Sequence, residues 1–228
     1  MILSAIQSAI LRVSGVKVGE VFASPDQIAV EMADLSTDVA TDIMQSHDWR
    51  ALTKVLTITG TGATAYTLPV EFDRMLASAQ VDDAANWFGG YQPFGDVNEW
   101  MRYTSGTYGI SSPGGWIMLG GEIQFYPAPV GTAQFPYISK NFVIDADSSR
   151  KPAFTADTDI FVLDERLLTL GLIWRWNEQK GFDYAEAMTT YETALARAQG
   201  RDKGPRVAMT PRRWNSGAGR AYSNVAMW

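Results

Sequence analysis

The sequence predicts an α+β fold, in which N- and C-terminal helices form one antiparallel helical bundle and an antiparallel β-rich module is inserted between them. Apolar residues recur every three or four positions near both ends of the chain, and they alternate with polar residues in the middle. The final residues follow neither period, which predicts an extended C-terminal arm. The predicted parts are residues 1–50 (N-terminal helices), 51–155 (β-rich module), 156–200 (C-terminal helices) and 201–228 (arm).

Two amphipathic helices are predicted in the N-terminal part. Four apolar residues spaced three or four apart define one face of the first helix: Leu3, Ile6, Ile10 and Val13. The second helix is predicted to begin with Ser24 as its N-cap and Pro25 at its first position. Its apolar face holds Ile28, Met32, Leu35, Val39 and Ile43, and a separate stripe repeats a carboxylate every fourth residue: Asp34, Asp38 and Asp42.

The middle of the chain reads as strands joined by turns. KVLTITGTGATAYTLP alternates around Gly60-Thr61-Gly62, which predicts a hairpin, and WIMLGGEIQFYPAP predicts a second hairpin around Gly120-Gly121. PYISKNFVID is a third strand candidate. A short helix is predicted from Asp96 to Tyr103, with Asp96 as its cap.

Two further helices are predicted after the β-rich module. Residues from Ile160 to Trp176 are apolar on nearly every side, so this helix should be the central one. Lys180-Gly181 gives it a stop signal. Asp183 is then the expected cap of the last helix, which Gly200 should end.

Composition and motifs argue against an enzyme and against a bound cofactor. The chain has no cysteine and a single histidine, His47, which excludes a disulfide framework and a metal centre built from thiolates or several imidazoles. Asp145 and Asp147 begin a calcium-loop pattern, but Arg150 and Ala156 replace its essential glycine and glutamate. The pattern is therefore incomplete, and the sequence leaves open whether any metal binds near the two aspartates. No stretch reaches the length of a membrane span, and we expect no membrane partner.

Charge is distributed unevenly along the chain. The formal net charge is -6, yet six Lys/Arg residues follow position 200 against one acidic residue, Asp202. The first 200 residues are therefore strongly acidic and should repel nucleic acid, whereas the arm has the opposite sign.

Aromatic residues are concentrated in the turn-rich middle of the chain, where a single subunit would have difficulty burying all of them. Trp and Tyr are enriched at the centres of protein interfaces and also line sugar-binding surfaces. We favour an interface, and its predicted aromatics are Trp87, Phe88, Tyr91 and Trp100.

Four segments, taken in order, resemble the head-to-tail adaptor proteins of short-tailed bacteriophages, also called connector or tail tubular A-like proteins. The segments are the N-terminal helix pair ending in HDW, TLPVEFDRM, WIMLGGEIQFYPAP and DTDIFVLDERLLTLGLIWRWNEQKGFDYAEAMTTYETALARA. The resemblance covers most of residues 1–200. It rests on the order and spacing of loose motifs.

The resemblance implies a homo-oligomeric ring, expected to hold twelve copies, in the neck or tail of a virion assembled in the host cytoplasm. Its partners would be the portal protein and a downstream nozzle or tail-tube protein, with genomic DNA passing through without specific binding. The C-terminal arm would dock on the portal through apolar and cationic anchors: Arg206, Arg212, Arg213, Trp214, Arg220, Tyr222 and Trp228.

The acidic body fits a channel that DNA must traverse without sticking, and we expect Asp34, Asp38 and Asp42 to face that channel. Two alternatives stay open at this point. The basic aromatic arm is also compatible with a nucleic-acid-binding protein, and the aromatic cluster with a glycan-binding phage protein.

Overall fold

The computed structural model describes residues 1–76, 79–83, 90–105 and 114–203, which form five helices and several small sheets. The helices are α1 (Ile2–Ser14), α2 (Gln27–Gln45), α3 (Val97–Thr104), α4 (Glu165–Lys180) and α5 (Ala185–Asp202). The strands are β1 (Thr53–Thr59), β2 (Ala65–Thr67), β3 (Phe72–Met75), β4 (Asp82–Asp83), β5 (Gln92–Pro93), β6 (Gly115–Leu119), β7 (Glu122–Tyr126), β8 (Thr132–Ser139), β9 (Val143–Ile144), β10 (Arg150–Lys151) and β11 (Ile160–Phe161). The mixed α+β class is confirmed.

Helix α4 packs against α1, α2 and α5, so helices from both ends of the chain share one core. Gly171 of α4 allows a close approach: a Cβ at this position would collide with Cγ1 of Val39 on α2 and lie 3.4 Å from Cε2 of Tyr191 on α5. Phe142, Phe154 and Phe161 belong to the same core. The antiparallel arrangement of the bundle, the domain boundaries and the extended arm stay predictions.

Several helix ends differ from those that the sequence predicts, and one of them is the N-cap of α5, which is Tyr184 rather than Asp183. Helix α2 begins at Gln27 with Asp26 at its N-cap, because the Ser24 hydroxyl accepts a hydrogen bond from the Asp26 N–H within the preceding turn. Residues 160–161 form β11 rather than helix, and α4 starts where Asp164 accepts a hydrogen bond from the Arg166 N–H. Helix α5 continues through Gly200 to Asp202.

The β strands form two four-stranded sheets and one three-stranded sheet. One has the order β1-β8-β3, with β4 also pairing with β8; a second has the order β2-β7-β6-β5; the third has the order β10-β9-β11. The β6–β7 hairpin is confirmed, with φ of 63° at Gly120 and 82° at Gly121, values that glycine adopts without strain. The first two sheets enclose a separate core that includes Ile123, Phe125 and Phe135.

The predicted hairpin around Gly60-Thr61-Gly62 is wrong. Strand β1 pairs with β8 and β2 pairs with β7, so the glycine turn carries the chain from one sheet to another. The Gly60 N–H donates to the Gly131 carbonyl at 2.7 Å, and a Cβ at Gly60 would collide with the Pro129 carbonyl oxygen. The glycine is therefore explained by a close contact with another backbone segment.

Candidate docking surfaces

The residues predicted to anchor the arm lie outside the described part of the chain: Arg206, Arg212, Arg213, Trp214, Arg220, Tyr222 and Trp228. Trp87 and Phe88 of the predicted aromatic interface also lie outside it. The structure describes the chain up to Lys203, which is the root of the predicted arm.

The root of the arm is fastened to the corner between α2 and β1. The Asp202 carboxylate accepts a hydrogen bond from the Arg50 N–H at 3.1 Å and lies 3.4 Å from His47 Nε2. The Arg50 guanidinium donates to the Lys203 carbonyl at 2.8 Å, and Gln199 Nε2 donates to the Ser46 carbonyl at 3.3 Å. These contacts fix the position of Lys203 against this corner. His47 thus serves an anchoring role that its sequence context alone did not reveal.

Arg74 joins the first sheet to the C-terminal end of α2. Its guanidinium donates to the His47 carbonyl at 2.9 Å and pairs with Asp48 at 3.2 Å and with Asp73 at 2.7 Å. It also donates to the Met44 carbonyl at 3.4 Å. A cation that satisfies carbonyls at a helix C-terminus is favourable, so the FDRM segment sets the position of the β-rich module relative to α2.

Glu71 holds a polar cluster at one end of the same sheet. Lys54 Nζ lies 2.5 Å from its carboxylate, and the Tyr137 hydroxyl donates to it at 2.7 Å. The hydrogen bond from Lys54 is the largest influence and lowers the pKa of Glu71, although partial burial opposes the shift. Burial and the bond to Glu71 raise the pKa of Tyr137 to about 12. The cluster ties β1 and β8 to the turn before β3.

The carboxylate stripe on α2 faces solvent. Asp34, Asp38 and Asp42 are all exposed, on the side of the helix away from its buried Met32, Leu35 and Val39. Asp42 is paired with Arg175 of α4 at 2.9 Å. Neither Asp34 nor Asp38 has an ion-pair partner among the described residues. The stripe is therefore available to another molecule, which agrees with its predicted exposure but does not place it in a channel.

A groove of about 480 Å³ lies between α4 and α5 and is lined by three arginines, Arg166, Arg197 and Arg201. Leu167 and Ala194 contribute apolar surface to it. Arg201 lies 3.5 Å from Asp164, whereas Arg166 and Arg197 have no ion-pair partner within the described ranges. Sequence reasoning missed this arginine groove, although Arg197 and Arg201 are four residues apart and thus share one side of a helix.

The two described aromatics of the predicted interface are buried inside the subunit, and their interface role stays a prediction. Tyr91 is 3% exposed and Trp100 is 4% exposed. Tyr91 packs its ring on Phe125 at 5.0 Å, and Trp100 packs on Phe94 at 5.4 Å. Since α3 folds back onto the second sheet through Phe94, these side chains stabilise the module and offer little surface to a partner.

Asp145 shapes a turn in the described structure. Its carboxylate accepts hydrogen bonds from the N–H groups of Asp147 and Ser149 at 3.0 and 2.9 Å. Across residues 1–76, 79–83, 90–105 and 114–203, no cluster of three or more His, Asp or Glu side chains is arranged to hold a metal ion. None of the helices in these ranges has the length and apolar character needed to cross a bilayer.

Comparison with known protein families matches residues 2–218 to one family model, described as SU10 adaptor protein. The matched range includes all five helices, all the described strands and part of the predicted arm. No curated protein gives a significant match.

Proposed function

Because the chain belongs to the SU10 adaptor protein family, we propose that it joins the portal of a bacteriophage head to the tail as a homo-oligomeric ring. Family membership implies a structural adaptor role in a phage particle rather than an enzymatic one. The match over residues 2–218 is the observation that carries this proposal, because it covers nearly the whole of this chain.

The proposed docking element is the C-terminal arm. Its root at Lys203 is held by Arg50 and, through Asp202, by His47, so every copy in a ring would present its arm from an equivalent position. The arm carries basic and aromatic residues that suit an acidic portal surface with apolar pockets. A segment that orders on binding covers a large area for its length, which suits a component that joins a preformed portal.

The acidic body is proposed to leave DNA free to pass through the ring. Phosphate binding depends on neutralisation by Lys and Arg, and acidic residues outnumber basic ones in the part before the arm. An outward-facing stripe such as Asp34 and Asp38 has two positions open to it in a ring: the channel wall, as the sequence analysis expects, or the contact with the neighbouring copy.

Reconstitution tests this function directly. Heads filled with DNA are purified from an infection in which this chain is not made, and the purified chain is added before purified tail components. We expect the full chain to bind the heads and to restore tail attachment. A chain that ends at Lys203 should bind the heads about tenfold more weakly, because it lacks the anchor residues of the arm. The adaptor role would be contradicted if the wild-type chain failed to bind heads, or if it bound free DNA and nothing else.

A further inference from the structure

The arginine groove and the carboxylate stripe are separate surfaces of the subunit. The groove is lined by residues of α4 and α5, and Arg166 and Arg197 within it have no ion-pair partner in the described part of the chain. Residues of an α-helix advance by about 100° each, so Arg197 is about 200° around α5 from Gln199, which donates to Ser46 at the end of α2. The unpaired guanidinium of Arg197 therefore belongs to a different surface from the stripe on α2.

The stripe on α2 faces solvent. Asp34 and Asp38 are exposed, while Val39 of the same helix is buried against Gly171 of α4. Each subunit therefore carries an exposed acidic stripe and a separate basic groove.

The two surfaces also match in spacing. Asp34 and Asp38 are four residues apart, which separates them by about 6 Å along α2. Arg197 and Arg201 have the same separation along α5, and Arg166 lies across the groove from them. A helix carrying carboxylates on successive turns can thus place each one beside a guanidinium, a donor whose planar shape suits a carboxylate.

We propose that the stripe of Asp34 and Asp38 on one copy docks in the arginine groove of the next copy. This inference rests on the proposed function, since it names the contact that closes the ring. A contact between two different surfaces of identical subunits repeats head to tail, and it forms a closed ring when the rotation between neighbours divides a full turn. The stripe then lies at the side of each subunit and does not face the channel.

Charge complementarity favours a second copy of the chain as the occupant of the groove. Nucleic acid is the other polyanion that arginines bind, but the surrounding body has an excess of carboxylates that repels phosphate. A second copy of the chain carries an acidic surface with the matching spacing, and each copy supplies one such surface for each groove. Charge pairs of this kind contribute specificity and register to an interface.

Charge reversal tests the contact. One variant carries Asp34→Lys and Asp38→Lys, and the other carries Arg166→Glu and Arg197→Glu. In either variant alone, every subunit contact would bring like charges together, so binding to heads should fall by about tenfold or more. In an equimolar mixture, the lysine stripe of the first variant can meet the glutamate groove of the second, and the aspartate stripe of the second can meet the arginine groove of the first. Rings in which the two variants alternate should therefore form, and binding to heads should recover.

Outcomes of the mixing experiment are decisive once circular dichroism shows that both variants are folded. Recovery in the mixture supports the proposal. Normal binding by either variant alone overturns it, and so does a mixture that fails to recover. If the wild-type chain occupies the junction and the variants bind as well as the wild-type chain does, only the proposed contact is wrong. If the wild-type chain does not occupy the junction, the proposed function itself is wrong.

A crosslink provides an independent test, because the chain has no native cysteine. With Asp38→Cys and Arg197→Cys in one chain, treatment of assembled particles with a flexible bis-maleimide, whose reach replaces the length of the lost arginine side chain, should give a ladder of covalent multimers, whereas either single substitution should give none. Absence of the ladder overturns the proposal. Loss of DNA binding in the Arg166→Glu and Arg197→Glu variant, with ring assembly unchanged, would instead assign the groove to nucleic acid.

Discussion

Replacing Gly171 by Ala probes the tightest packing contact of the central helix. The new methyl group would meet Cγ1 of Val39, a short and stiff side chain that cannot swing away as a lysine or methionine can. Overpacking of a close-packed core costs about 1 to 3 kcal/mol. Alanine recovers about 0.5 to 1 kcal/mol of helix propensity relative to glycine. The free energy of unfolding should therefore fall by roughly 1 kcal/mol, the difference between the midpoints of these two ranges.

Gly200 supplies the matched control, because it also lies within a helix and a Cβ there would have no neighbour within 4 Å. Gly200→Ala should raise the free energy of unfolding by about 0.5 to 1 kcal/mol, since only helix propensity changes. The same substitution thus has opposite signs at the two positions. Adding Val39→Ala to Gly171→Ala makes room for the methyl group, so the pair should be less destabilised than the sum of the two single substitutions.

Chemical denaturation monitored by tryptophan fluorescence measures these differences, and thermal melting provides a second readout. For a chain of this length, each kcal/mol corresponds to about 2 to 4 °C in Tm. The reasoning is refuted if Gly171→Ala is as stable as Gly200→Ala, because α4 and α2 would then not approach each other as closely as the structure shows.

Three further predictions follow from the junctions described above. Arg74→Lys should destabilise the chain by about 1 to 2 kcal/mol in urea denaturation, because an ammonium group cannot pair with two carboxylates and also reach the helix carbonyls; a loss below about 0.3 kcal/mol would contradict the junction. The pKa of Glu71 is lowered mainly by Lys54, so the ionised carboxylate stabilises the fold above pH 4.5, and this stabilisation is lost as pH falls through the lower folded-state pKa. Glu71→Gln should therefore reduce the loss of stability between pH 4.5 and more acidic pH. An unchanged dependence of stability on pH in this range would contradict the ion pair. A chain ending at Lys203 should keep the Tm of the full chain within about 2 °C, because both cores lie before that residue, and a larger fall would show that the arm supports the body.

Sequence patterns predicted those elements that local signals define. The 3-4-3 spacing in α1, the Asp96 cap of α3, the Gly181 stop and the Gly120-Gly121 turn all act within a few residues of each other, so their outcome follows from nearby chemistry. The mixed fold class follows because it depends on the order of such elements.

Pairing across the β-rich module could not be predicted in the same way. Strands β1 and β2 are separated by one glycine turn, yet each pairs with a strand more than fifty residues away, and no local signal in the sequence specifies these partners. The burial of Tyr91 and Trp100 within the subunit could not be predicted for a similar reason. Counting aromatics shows that they must be covered, but only the path of α3 shows that the subunit covers them itself.

The candidate surfaces show the same difference between features set by local sequence and features set by long-range packing. Exposure of Asp34 and Asp38 follows from helical spacing, whereas the arginine groove requires two helices to be placed side by side. Likewise, the motif TLPVEFDRM contributes to the resemblance, but the carbonyls that Arg74 binds are supplied by a helix that ends nearly thirty residues earlier. Long-range placement, which a single sequence does not contain, decides these sites.

Cryo-electron microscopy of the neck of purified particles tests the central claim most directly. The account predicts a closed ring of this chain between the portal and the tail, with the α2 surface of each copy in the α4–α5 groove of the next copy. A particle in which this chain lies outside the junction, or in which neighbouring copies meet through other surfaces, would contradict the adaptor role in the first case and the proposed contact in the second.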